Sequence, residues 1–264
     1  WNGRYASNFL MLFGPMRGGL DAIRLYRLVP ALLLALTCIG AFAFLRTLFR
    51  PGLTSMQAAS GALAWTALYT HLMPDMPEGF YWYTGSVTYQ LPSALTLIAA
   101  ALLMRAVQYR SRWPAVLAIP LLFVIIGCNE VIMLLLVSAS GVVIARWVAS
   151  PGRTSIFLII AVPVIILGAC LVILAPGNEV RSAFYPDRHQ FFHSMGMSAL
   201  QTLRFSFEWI SCPALLLLSV IWWMNHRHLA QRFPLIGYGF GLDPWKALPA
   251  LLAVVFLCVF PAYW

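Results

Sequence analysis

Trp113-Pro-Ala-Val-Leu-Ala-Ile-Pro-Leu-Leu-Phe-Val-Ile-Ile-Gly-Cys-Asn-Glu-Val-Ile-Met-Leu-Leu-Leu-Val-Ser-Ala-Ser-Gly-Val-Val-Ile-Ala-Arg-Trp147 is almost continuously apolar, and its main interruption is Gly127-Cys-Asn-Glu130. One straight helix of that length would measure about 50 Å, against a hydrocarbon core of about 30 Å. The stretch therefore reads as two short spans that turn near Asn129-Glu130. A carboxylate at mid-bilayer costs roughly 2.5–3.5 kcal/mol, so a turn held at that depth needs a partner or a wet cavity for Glu130. The alternative is a surface turn, where Asn and Glu cost little.

Outward from this hairpin the chain alternates apolar runs with short basic connections. Spans are expected at about 29–49, 53–72, 90–104, the two halves of 113–147, 156–174, 200–224 and from 247 onward. The reading is all-α: one polytopic transmembrane helical bundle over 1–264, with about eight spans. A composition 61% hydrophobic and 9% charged rules out a soluble domain, and continuous apolar runs rather than alternation favour the helical type over a barrel.

The net charge of +9 would suggest nucleic acid in a soluble chain, but here membrane orientation accounts for it and no nucleic acid is expected. The loops at 46–52, 105–113, 146–153 and 225–246 share one side. They carry Arg46, Arg50, Arg105, Arg110, Arg112, Arg146, Arg153, Arg227, Arg232 and Lys246. By the positive-inside rule that side is cytoplasmic. Asp75, Glu78, Glu130, Glu179, Asp187 and Glu208 fall on the other. Arg17, Arg24 and Arg27 are misfits on the outer side, where Arg24 and Arg27 can snorkel to lipid phosphates. The expected location is the bacterial cytoplasmic membrane, with a site facing the periplasm or exterior.

Everything chemically unusual lies on that outer face. Residues 1–24 form an interfacial segment that opens on Trp1-Asn-Gly-Arg-Tyr-Ala-Ser. Arg4 beside Tyr5 offers a fork of donors to phosphate or carboxylate, although an aromatic belt with an anchoring Arg wants the same residues. Residues 72–90 form an outer-face site loop around Met76-Pro-Glu-Gly-Phe-Tyr-Trp-Tyr-Thr-Gly-Ser-Val-Thr-Tyr-Gln90. Glu78 suits a general base or, with Asp75, a ligand for a divalent cation; no other cofactor is implied. Tyr81 and Trp82 suit stacking on a sugar, and a belt does not account for Thr84-Gly85-Ser86.

Ala175-Pro-Gly-Asn-Glu-Val-Arg181 closes a span with turn residues, and Arg181 could bind an anionic head group. Arg204 and Glu208, at i and i+4, most simply pair with each other. His189 and His193 lack a third ligand. Cys38, Cys128, Cys170, Cys212 and Cys258 occur singly, as small core residues do. Phosphate loops, Rossmann glycines and Gly-x-Ser-x-Gly do not occur. The sequence opens at Trp1 inside a motif and stops inside an apolar run, so a longer parent protein is expected.

Four segments taken in order resemble a family of bacterial polytopic proteins. They are Trp1-Asn-Gly-Arg-Tyr-Ala-Ser, Glu78-Gly-Phe-Tyr-Trp-Tyr-Thr-Gly-Ser-Val-Thr-Tyr-Gln, Gly127-Cys-Asn-Glu and Ala175-Pro-Gly-Asn-x-x-Arg. That family is similar to GT-C class membrane glycosyltransferases, including GtrII-type glucosyltransferases. The resemblance implies a GT-C-like bundle taking a sugar from a polyprenyl-phosphate donor to a glycan or lipid acceptor. It implies an acidic catalytic base in the first outer loop, upstream of Trp1, which leaves Asp75, Glu78 and Glu130 as the acidic candidates here. Arg4, Arg181 and Arg204 would bind donor phosphate. Trp1, Tyr5, Tyr81, Trp82, Thr84, Asn129 and Asn178 would contact sugar or acceptor. A multispan transporter or lipid-linked-sugar flippase is the alternative, with Glu130, Arg204 and Glu208 lining a path.

Overall fold

In the computed structural model, the structure describes residues 3–14, 19–150, 152, 154–184, 190–233 and 244–260. The side chains of 19, 20, 22, 181, 182 and 244–247 lie outside the description. Helix is the only regular structure among the described residues. The helices cluster into two compact units, Trp1–Asn178 and Glu179–Trp264.

The first unit opens with α1 (Tyr5–Leu12) and α2 (Gly19–Tyr26), then α3 (Leu28–Leu48) and α4 (Ser55–Leu72). At 21 residues α3 measures about 31 Å and matches a bilayer core. A capping box starts α4: Gln57 N–H donates to Thr54 Oγ1 at 3.2 Å, and Thr54 N–H donates to Gln57 Oε1 at 2.9 Å. The extended Met73 before Pro74 ends it.

The stretch 72–90, read from sequence as a loop, is helical for most of its length. Two five-residue π-helical turns, Pro77–Tyr81 and Ser86–Gln90, flank α5 (Tyr83–Gly85) and run straight into α6 (Leu91–Tyr109). Then come α7 (Arg112–Ile126), α8 (Glu130–Ala149) and α9 (Ile156–Ile173), and α10 (Pro176–Ser182) contains the division between the units. The break expected at Asn129-Glu130 is present, between the end of α7 at Ile126 and the start of α8 at Glu130. The core of α6–α9 is Leu122, Ile125, Ile126, Met133, Ala161, Ile165, Ala169 and Val172, with Ala99 of α6.

A polar clamp ties three helices of this unit together. Tyr69 Oη donates to Gln90 Oε1 at 2.8 Å, Gln90 Nε2 donates to Thr37 Oγ1 at 2.7 Å, and Thr37 Oγ1 donates to the Leu33 carbonyl at 2.7 Å. Gln90 is 1% exposed, so its amide has no recourse to water. We expect Gln90→Leu to destabilise the unit by about 1–2 kcal/mol, because the Tyr69 hydroxyl is left without its acceptor. An unchanged unfolding midpoint in detergent would refute that role.

The second unit holds α11 (Phe191–Ser211), α12 (Pro213–Arg232) and α13 (Pro244–Val259). Ser194, Ser198 and Thr202 form the buried stripe of α11, and α11 packs against α13 and α12.

Hydropathy runs suggest about eight spans; among the described residues four helical stretches are long and apolar enough to cross a membrane: Ile23–Leu48, Tyr83–Tyr109, Glu130–Ala149 and Ile156–Ile173. A fifth is reached if α11 and α12 count as one bent span. The physical reasons differ from helix to helix. At 15 residues α7 is only about 23 Å long. Gln57, Ser60, Thr66, Thr70 and His71 dilute α4. The expected span at 200–224 is broken at Cys212-Pro213 by 85°. Pro213 lacks the N–H that would continue the ladder, and Cys212 before it is extended.

Candidate functional site

Four segments far apart in sequence meet around residues 3–7. The first turn of α1 docks on the α7–α8 junction: Ala6 and Ser7 N–H donate to the Gly127 carbonyl at 2.9 and 3.3 Å. These are two of the N–H groups that a helix start leaves without an internal partner. The Tyr5 ring lies on Gly127, where an added Cβ would stand 2.2 Å from Tyr5 Cε2. Tyr5 Oη donates to the Phe123 carbonyl at 2.5 Å. Burial, with Cys128 beside it, pushes the Tyr5 hydroxyl up to about 12, so it stays a donor at neutral pH.

Gly3 seats the segment against α9. Its φ of +82° is the left-handed region that glycine favours, and a Cβ there would meet the Val172 carbonyl oxygen at 2.4 Å. The same carbonyl accepts from Asn178 Nδ2 at 2.7 Å, and Ile173's accepts at 3.3 Å. Asn178 thus closes the last turn of α9.

Arg4 reaches the N-terminus of α8, where its Nε lies 2.8 and 2.9 Å from the two carboxylate oxygens of Glu130. Asn129 caps that helix by accepting from Val131 and Ile132 N–H at 2.7 and 3.3 Å. Glu130 therefore occupies the first helical position, where the helix dipole favours negative charge. Burial alone would lower the Arg4 pKa, but Glu130 and the Tyr89 hydroxyl outweigh it and hold the guanidinium above its usual range. The pair is about a quarter exposed or less, with side-chain exposures of 20% and 25%.

Tyr89 brings in the aromatic stretch, and Tyr83 makes a second tie: its Oη donates to the Leu10 carbonyl at 3.1 Å while its N–H donates to Tyr26 Oη at 3.1 Å. Arg4, Glu130 and Tyr89 thus form one cation–carboxylate–phenol cluster on a backbone frame of Gly3, Gly127 and Asn178.

This chain stands without a match among protein-family models, curated proteins and solved structures.

The other sequence candidates are distributed as follows. Glu78, Tyr81 and Trp82 are exposed on the first π-turn and its edge, and Thr84 is half-buried in α5. The Glu78 carboxylate makes no hydrogen bond or ion pair among the described residues, while its N–H donates to Asp75 Oδ1 at 2.9 Å. Asp75 is thereby a cap, and among the described residues no group of three His, Cys, Asp or Glu could hold a metal. Gly85 and Ser86 have packing reasons: a Cβ at Gly85 would lie 2.2 Å from the Glu78 carbonyl oxygen, and Ser86 Oγ donates to the Phe80 carbonyl at 2.9 Å. Arg204 pairs with Glu208 at 2.8 Å on an exposed face of the second unit. Trp1 and His189 lie outside the described residues, as does the side chain of Arg181.

Three participants were not singled out from sequence. Tyr89 sits inside a quoted motif but looks like any interfacial tyrosine. Gly3 and Gly127 also sit inside motifs, and only the helix approach shows that they are seats for other segments.

Proposed function

We propose that this chain is the membrane-embedded body of a GT-C-like glycosyltransferase. It moves a sugar from a polyprenyl-phosphate donor to a cell-envelope glycan or lipid acceptor on the non-cytoplasmic face of a bacterial inner membrane. One observation carries the reading: the four segments that resemble such enzymes gather around a single Arg4–Glu130–Tyr89 cluster. A protein with no site has no need to bring a charged pair to that junction, since an apolar pair of similar volume would hold it as well.

The chemistry is one displacement at the anomeric carbon. A carboxylate accepts the proton of the acceptor hydroxyl, and the hydroxyl oxygen bonds to the sugar. The bond from that carbon to the phosphate oxygen breaks, and the electron pair leaves on polyprenyl phosphate. Arg4 faces the developing phosphate charge. Glu130 is oriented by Arg4, Asn129 and Asn178 frame the junction beside it, and Glu78 is the solvent-facing carboxylate. Tyr81 and Trp82 offer exposed rings to the sugar. Transfer of labelled sugar from polyprenyl phosphate by the full-length protein tests this. We expect Glu130→Gln to reduce transfer on the order of 100-fold or more, as loss of a positioned acid–base group does. Unchanged transfer in both Glu78→Gln and Glu130→Gln removes both carboxylates from the chemistry.

A transporter or lipid-linked-sugar flippase is the second reading. The 85° break between α11 and α12 favours it, because interrupted helices line substrate paths in many transporters. Uptake driven by an ion gradient, with no sugar transfer, would decide for it.

A further inference from the structure

At the end of α6 opposite Tyr89, the connection 49–54 between α3 and α4 lies beside the connection 110–111 between α6 and α7. Arg105 Nε donates to Thr47 Oγ1 at 3.2 Å, and Gln108 Nε2 donates to the Thr47 carbonyl at 3.3 Å. The Arg50 guanidinium stands 5.2 Å from the centre of the Tyr109 ring, and that of Arg112 stands 5.8 Å from the Trp113 ring. Arg46, Arg50, Arg105, Arg110 and Arg112 therefore share this end. Between residues 46 and 112 the only carboxylates are Asp75 and Glu78, which lie past the far end of α4. None of the five arginines forms an ion pair among the described residues.

Two of them are occupied, Arg46 by the Leu53 carbonyl and Arg105 by Thr47. Arg50, Arg110 and Arg112 are exposed. Arg110 holds φ 49°, a left-handed conformation uncommon for any residue with a side chain, as the chain turns from α6 into α7. Below this cationic rim, Trp113, Val116 and Leu117 present one uncovered helix face, 68%, 52% and 61% exposed.

We propose that this rim and face bind one anionic phospholipid. The guanidiniums of Arg50, Arg110 and Arg112 take its phosphodiester, Tyr109 and Trp113 sit at headgroup level, and an acyl chain lies along Val116 and Leu117. A free inorganic anion would use the rim and leave the apolar face without a partner. A zwitterionic lipid would bring an ammonium group into a cluster that already lacks any carboxylate. The site does not depend on the glycosyltransferase reading, since it lies at the other end of α6 from Arg4 and Tyr89.

The test uses the full chain in nanodiscs of phosphatidylcholine with a minority of phosphatidylglycerol, followed by detergent exchange and quantification of retained lipid by mass spectrometry. Wild-type protein should retain phosphatidylglycerol in preference to phosphatidylcholine. R50Q/R110Q/R112Q should lose on the order of 100-fold of that preference, each single variant about fivefold, as juxtamembrane arginines generally contribute. R24Q/R227Q/R232Q, which removes the same formal charge elsewhere, should keep it. Equal retention in the two triple variants, or full retention in all three single variants, would overturn the proposal. So would displacement of phosphatidylglycerol by inorganic phosphate alone, which would assign the rim to a soluble anion.

Discussion

Replacing Gly127 with alanine is expected to lower the apparent unfolding free energy by about 3 kcal/mol. The new Cβ would stand 2.2 Å from Tyr5 Cε2. The ring cannot swing aside freely, because its hydroxyl is tied to the Phe123 carbonyl and its face packs on Phe123 at 5.0 Å between ring centres. Either α1 lifts off the α7–α8 junction or the junction opens. Overpacking alone costs about 1–3 kcal/mol, and lifting α1 also removes hydrogen bonds at about 1 kcal/mol each. Gly141→Ala is the control, since a Cβ there meets nothing within 4 Å, and it should leave stability level or raise it slightly. Removing the obstacle should rescue the change: Tyr5→Ala with Gly127→Ala should cost at least 1 kcal/mol less than the two singles added. Strict additivity in that cycle would mean that the ring and the glycine do not oppose each other.

The second large effect concerns the ion pair. Arg4→Gln is expected to cost about 1–3 kcal/mol of stability and most of any transfer activity. Breaking a fully buried pair costs about 3–5 kcal/mol, and exposures of 20% and 25% reduce that through solvent screening. Arg4→Gln combined with Glu130→Gln should be less destabilising than the sum, because neither charge is then left alone. Arg4→Lys keeps the charge but loses the Nε–H that reaches both carboxylate oxygens at 2.8 and 2.9 Å, so it should recover stability in part and activity little. Thermal unfolding and labelled-sugar transfer on the same preparations separate the two. A fully active Arg4→Lys enzyme would show that charge alone matters at this position.

Much of the helical layout was legible in the sequence, and its limits were physical. The apolar run 113–147 was too long for one span, and Gly127-Cys-Asn-Glu130 marked the break because Asn caps the helix that Glu begins. Hydropathy runs and helices long enough to span part company at α7, which is apolar but short, and at Pro213, which stops a run that composition carries through. The stretch 72–90 looked like a loop because Pro, Gly and Thr are poor helix formers. Two π-turns closed over Gly85 and anchored by Gln90 make it helical instead, a tertiary effect that no local pattern encodes. Arg4 and Glu130 were both picked out as unusual. Their partnership was not legible, since one was read as a phosphate ligand and the other as a candidate base. Glu78 stood in the same group by chemistry alone and contacts neither of them among the described residues.

The contacts of Gly3 with Val172, and of Ala6 with Gly127, also fix an order of biogenesis. Residues 3–7 leave the ribosome long before the segments they rest on, and at about 5–20 residues per second that interval lasts many seconds. The earliest-made part of this frame is therefore the last to find its seat. Until translation has passed Val172, Arg4 has no completed berth.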